Sequence, residues 1–285
     1  MLSRLKSEIN CWSKIASLVY LGSMTEPTSE SLKQAQSSQF CCPIVELRQY
    51  TLHPGKRDVL IDLFEREFIE TQEAVGSKVI GQFRNLEDPD RFVWLRGFSD
   101  MTSRAKALQD FYGGPVWKAH REAANATIID SDNVLLLHPA LPTSGFSLQN
   151  VKRPRIGEKV PASLVIATIY YFDTPVPADF VDFFEHTLKP AATSLGAAIS
   201  AYFVTEKSAN TFPALPVREG ENVFVWFSTF QDPAAYENYL TAISRSERWR
   251  AEVSNGLAPY LKRAPEVLKL SPTPRSQLRG GMVRP

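Results

Sequence analysis

The chain has 285 residues, enough for two ordinary cores, and its 32 basic and 31 acidic residues nearly cancel to a net charge of +1. So even a balance offers no electrostatic footprint for nucleic acid, and no run approaches the roughly twenty apolar residues of a membrane span. The three cysteines, Cys11, Cys41 and Cys42, all precede the first predicted strand, so we expect no disulfide framework and a reducing compartment. His53, His120, His138 and His186 are scattered without ligand spacing, so no metal site and no cofactor is predicted.

Residues 1–43 stand apart in composition. Arg4, Lys6 and Lys14 mix with Leu5, Ile9 and Trp12 before a Ser/Thr/Gln-rich stretch. A mitochondrial presequence over residues 1–23 competes with an unstructured extension of a cytoplasmic protein, and Glu8 and the second methionine, Met24, favour the extension.

IVELRQYTL (Ile44–Leu52) alternates with period two and stops at His53-Pro54-Gly55, so it reads as a strand. From Lys56 to about Ala74 the residues Val59, Leu60, Leu63, Phe64 and Phe68 recur at helical spacing. Residues 78–84 and 92–98 form a strand pair around Asp88-Pro89-Asp90. Asp100 caps a helix that breaks at Gly113-Gly114-Pro115 and resumes through Trp117, and Asn133–His138 closes the unit as a last strand.

The same order returns after a proline-rich connector. FVWLRGFSD (Phe92–Asp100) is echoed by FVWFSTFQD (Phe224–Asp232), and Trp117 by Trp249 at the same distance beyond. That is one structural unit used twice. The second unit has strands at 164–172, 201–205, 224–230 and 267–270, with a longer hairpin over 207–222 and a helix start at Asp232-Pro233. The fold class is therefore α+β: two tandem ferredoxin-like βαββαβ repeats. The predicted division is an extension over 1–43, a first domain over 44–139, a linker over 140–162, a second domain over 163–271 and a disordered tail over 272–285.

With IVELRQYTLHPGK, FVWLRGF and GGPVWKAHR in view, the first half resembles the NIPSNAP family, closely over residues 44–139 and more loosely in the second repeat. The resemblance implies the dimeric α/β barrel superfamily, in which two ferredoxin-like units join their sheets. Here one chain would supply both, and pairing of whole chains into a homodimer is a further expectation. It implies two function classes. One is a module that binds a small molecule or recruits a protein partner; the alternative is a cofactor-independent monooxygenase or isomerase acting on a small aromatic or acidic substrate.

Comparison of the repeats selects the candidate site. If Val45 and Leu47 face the helices, then Glu46, Arg48, Tyr50 and Arg96 face the barrel interior, beside Phe92 and Trp94. Their counterparts Ile166, Thr168, Tyr170 and Ser228 keep the aromatic position and lose the charge. Arginine suits a carboxylate or another planar anion. The expected ligand site is Glu46, Arg48, Tyr50, Arg96 and His120, holding a small anionic or aromatic ligand. The competing account is a structural charge cluster on a strand face assigned the wrong way round. His53, beside the Pro54-Gly55 turn, and His120, three residues after Trp117 and within reach of the barrel mouth, are the acid/base candidates, and His120 is the sole candidate for a haem ligand, although isolated histidines are more often surface groups. No catalytic residue is assigned.

Overall fold

The computed structural model describes residues 40–148, 151–160 and 162–280. The readings for residues 1–39 lie outside the described residues.

The first half runs β1 (Ile44–Leu52), α1 (Arg57–Leu63), a π-helical turn (Phe64–Phe68), α2 (Ile69–Ala74), β2 (Lys78–Asn85), β3 (Arg91–Phe98), α3 (Met101–Gly113), α4 (Pro115–Asn125) and β4 (Ile128–Pro139). The second half runs β5 (Leu164–Phe172), α5 (Ala178–Phe183), a π-helical turn (Phe184–Leu188), α6 (Lys189–Ser194), β6 (Ala198–Thr205), β7 (Asn222–Phe230), α7 (Pro233–Arg245), a π-helical turn (Trp249–Ser254), α8 (Asn255–Leu257) and β8 (Glu266–Pro272). The helix starts follow the local chemistry. The Asp100 carboxylate accepts from the Ser103 N–H at 2.6 Å, and that of Asp232 from the Ala235 N–H at 2.8 Å. Each satisfies a backbone donor that the first helical turn leaves unpaired.

The eight strands of the described residues pair antiparallel into one closed barrel, in the order β1-β3-β2-β8-β5-β7-β6-β4. Within each half the order is fourth, first, third, second. The two seams between halves are short: three residue pairs join β2 to β8 and three join β4 to β6, against nine between β5 and β7.

Alternation along each strand gives the sheet two apolar faces, both covered. Val45, Leu95, Ile169, Phe203 and Phe227 from the two halves meet in one buried core inside the barrel. Tyr50, Phe64, Phe68, Phe92 and Trp94 form a separate core between the sheet and the helices of the first half. The second half repeats this with Tyr170, Phe180, Phe184, Phe224 and Trp226.

The ends of the barrel are filled by segments expected to be connector and tail. Phe146, from the connector, packs its ring 5.0 Å from Phe203 and 5.1 Å from Phe227. Beyond β8 the chain keeps its order: the Leu278 N–H donates to the Ile80 carbonyl at 2.9 Å, and Leu278 is buried. Arg275 donates to the Glu65 carbonyl at 2.6 Å and to the carboxylate of Glu70. Arg153, in the connector, donates to the carboxylate of Glu73 at 2.6 Å and to the Arg275 carbonyl at 3.0 Å. The disordered tail expected from 272 onward is therefore corrected through residue 280. The sequence of this segment is polar, and what orders it is ion pairing with α2 and backbone pairing with β2.

Cys41 and Cys42, adjacent in the chain, form a disulfide with each other that ties no distant elements together. Cys42 lies against Gly97, where an added Cβ would sit 2.6 Å from its Sγ, so only glycine fits there. Among the described residues no helix is long and apolar enough to cross a membrane.

Candidate functional site

The two faces of β1 are the reverse of the sequence expectation. Val45 and Leu47 belong to the core inside the barrel, and Glu46, Arg48 and Tyr50 point under the helices of the first half. Both faces of β1 are buried, so period two fixes which residues share a face but not which face meets the helices. Phe92, Trp94, Arg96 and Phe98 move with them, because β3 pairs with β1 in the register Glu46↔Arg96, Arg48↔Trp94, Tyr50↔Phe92.

That register sets opposite charges directly across from one another. Glu46 Oε2 accepts from Arg48 Nη1 at 2.7 Å and from Arg96 Nε at 2.8 Å. Its other oxygen, Oε1, accepts from Arg104 Nε at 2.6 Å. All four side chains are fully buried. Arg104 was missed in the sequence, although α3 gives a signal for it: its buried residues are Arg104, Ala107, Leu108 and Arg104's later partner on the same face, Phe111, spaced at three and four.

The outer donors have partners too. Arg48 Nε donates to the Tyr50 hydroxyl oxygen at 3.1 Å, and Arg96 Nη1 to Gln72 Oε1 at 3.1 Å. Arg104 Nη1 donates to Asn210 Oδ1 at 3.0 Å and Thr211 Oγ1 at 3.1 Å. The Arg96 guanidinium lies over the Trp94 ring at 5.0 Å, and that of Arg48 at 5.6 Å. Such contacts with the ring faces partly offset lost hydration. Arg96 Nη2, Arg104 Nη2 and Trp94 Nε1 are buried with no hydrogen-bond partner among the described residues.

Three guanidiniums thus surround a single carboxylate. Burial alone would push the Glu46 carboxyl up, but Arg96, Arg48 and Arg104 together overcome this and hold it well below the usual carboxylate range. Burial lowers the pKa of Arg104. Burial raises that of Tyr50 against the opposing pull of Arg48, so the phenol keeps its proton at neutral pH. With its oxygen accepting from Arg48, the Tyr50 O–H is left as a donor.

In front of the cluster lies a cavity of about 100 Å³ lined by Tyr50, Phe68, Gln72, Trp94, Trp117 and Leu215, among others. Tyr50 and Gln72 link its wall to Arg48 and Arg96, so the excess positive charge stands one side chain behind the surface. The structure thus brings together Glu46, Arg48, Tyr50 and Arg96. It leaves His120 outside: its Nε2 is 3.6 Å from Glu67 Oε2, both side chains are partly exposed, and its ring packs edge-on to Phe68. In the second half, Ile166 and Ser228 occupy the positions across from one another where Glu46 and Arg96 stand in the first. Among the described residues no group of three or more His, Cys, Asp and Glu side chains could hold a metal ion.

The NIPSNAP family model matches residues 45–142, the stretch that contains this cluster. An uncharacterized NIPSNAP-like domain protein from Burkholderia xenovorans is similar at 30% identity, covering 34% of this chain and 84% of that one, with a TM-score of 0.32. A NIPSNAP family protein from Agrobacterium tumefaciens is similar at 24% identity, covering 34% and 92%, also with a TM-score of 0.32. The longer likeness is to an anthrone oxidase-like protein, at 13% identity over 84% of this chain and 96% of that one, with a TM-score of 0.50. No curated protein matches the chain.

Fold and site together define an α+β protein with a closed antiparallel barrel and a charge cluster buried under the helices of one half. The chain belongs to the NIPSNAP family.

Proposed function

We propose that this protein binds a small organic anion with an aromatic or similarly flat body in the cavity between the sheet and the helices of its first half. On this reading residues 44–139 and 163–271 are two tandem ferredoxin-like domains, of which only the first holds a ligand. The observation that carries it is the charge imbalance: three buried guanidiniums against one carboxylate, with two guanidinium nitrogens unpartnered. A purely structural cluster would be expected to neutralise itself, since uncompensated buried charge is costly. An anion in the adjacent cavity would offset the excess and accept from the Tyr50 hydroxyl. The aromatic walls supply the apolar part of the binding energy. An engineered cavity of about 150 Å³ in another protein accommodates benzene, so a space of about 100 Å³ limits the ligand to one ring at most.

Trp94 and Trp117 line the cavity and report on its contents. Benzoate should quench tryptophan fluorescence saturably, and benzyl alcohol, of the same shape without the charge, should bind at least about tenfold more weakly. Equal binding of the two, or none, would end the anion reading.

A second reading is favoured by Tyr50, a neutral phenol on the cavity wall with its oxygen fixed by Arg48. It could hold an enolic or phenolic substrate for oxidation by dioxygen, in line with the barrel's likeness to an anthrone oxidase-like protein. The cavity's size limits such a substrate to one ring rather than three fused ones. Oxygen consumption with a panel of single-ring phenols tests this, and a rate equal to buffer would dismiss it.

A further inference from the structure

The connection between β6 and β7 is far longer than its counterpart in the first half: residues 206–221 stand where residues 86–90 join β2 to β3. It leans across the seam onto the first half. Its base is pinned to β4, where the Glu206 N–H donates to the Leu136 carbonyl and the Arg218 N–H to the Val134 carbonyl, each at 2.8 Å. Its tip reaches α3, where Thr211 Oγ1 donates to the Met101 carbonyl at 3.2 Å and the Phe212 ring stacks on Tyr112 at 5.9 Å.

The tip is built internally as well. Asn210 Nδ2 donates to the Leu215 carbonyl at 2.9 Å, while Asn210 Oδ1 accepts from the Phe212 N–H at 3.1 Å and from Arg104 at 3.0 Å. One side chain therefore ties the position of Leu215, a wall of the cavity, to Arg104, a member of the charge cluster.

We propose that residues 210–215 of the second half are the specificity element of the first-half site. Asn210 and Thr211 hold Arg104 in place, and Leu215, beside them on the cavity wall, limits the size of ligand admitted. This rests on the anion-binding reading above and adds that the site is composite, drawn from both halves. It also gives the extended hairpin a role that its own half does not need.

The test compares benzoate with 4-propylbenzoate by tryptophan fluorescence titration, using the full chain and its Leu215→Ala and Leu215→Trp variants. Circular dichroism confirms that each is folded, as expected for a partly exposed hairpin residue. Leu215→Ala should shift the affinity ratio about tenfold toward the longer acid, since each newly buried methylene favours binding. Leu215→Trp should abolish benzoate binding, read by titration calorimetry because the added indole itself fluoresces. Benzoate binding with an unchanged ratio in Leu215→Ala, or with full affinity in Leu215→Trp, overturns the hairpin's role and leaves the anion site standing. If the unaltered chain binds neither acid, both ideas fall.

Discussion

Glu46 Oε1 accepts from Arg104 Nε at 2.6 Å, joining β1 to a residue of α3 fifty-eight positions later. The bond crosses from sheet to helix in the interior, where neither group has water to fall back on. It makes Glu46 the hub of the cluster, because the same carboxylate also neutralises part of Arg48 and Arg96.

Replacing that hub should therefore be the costliest single change. Glu46→Gln keeps the shape but leaves three buried cations without a counter-charge, and should lower unfolding free energy by about 3–5 kcal/mol in urea denaturation. Arg48→Met should cost less, since Glu46 keeps two partners and the buried charge excess shrinks. An equal or opposite ranking would show that the carboxylate is not what holds the cluster.

The pH dependence has a definite sign. The folded-state pKa of Glu46 is depressed, so its contribution is complete above the unfolded value of about 4.3 and is lost progressively as pH falls below it, toward the much lower folded value. Over that window this one group should remove up to about 1.4 kcal/mol of stability per pH unit. Denaturation midpoints between pH 7 and pH 3 should show a shallower acid slope for Glu46→Gln than for the unaltered chain.

Tyr50→Phe deletes the oxygen that accepts from Arg48 Nε and the O–H aimed at the cavity. Leaving a charged donor unpaired should cost about 1–3 kcal/mol of stability. Benzoate binding by fluorescence should fall about tenfold, whereas a purely structural tyrosine would change the melt and leave affinity alone.

The C-terminal segment is open to the same kind of test. Leu278 is buried against the barrel, and Leu278→Ala should cost about 2–5 kcal/mol. A calorimetric melt should show a drop on the order of 5–15 °C for a chain of this size. No change would mean that the segment contributes nothing to closing the barrel.

Much of the fold was legible because it is written twice. Phe92–Asp100 and Phe224–Asp232 fix β3 and β7, and Asp100 and Asp232 mark the helix starts that they do cap. The grouping of Glu46, Arg48, Tyr50 and Arg96 on one side of the sheet was legible too, from period two. The direction of that side was not, since a sheet covered on both faces lacks the polar face that would label solvent. Arg104 escaped notice because arginine on a helix usually marks a wet surface, although its spacing from Ala107, Leu108 and Phe111 placed it on the buried one. The roles of Arg275 and Leu278 depend on partners more than a hundred residues away in the chain, and no local pattern announces them.

The two narrow seams, three residue pairs each, have a consequence for how such a barrel can be assembled. With so few paired residues at the seams, the halves depend on their shared core, and as two separate chains they would be sensitive to dilution. A covalent tether keeps the halves at an effective concentration on the order of millimolar or above whatever the protein concentration outside. With no symmetric partner required, one half keeps its charges while the other holds uncharged Ile166, Thr168 and Ser228 at the matching positions.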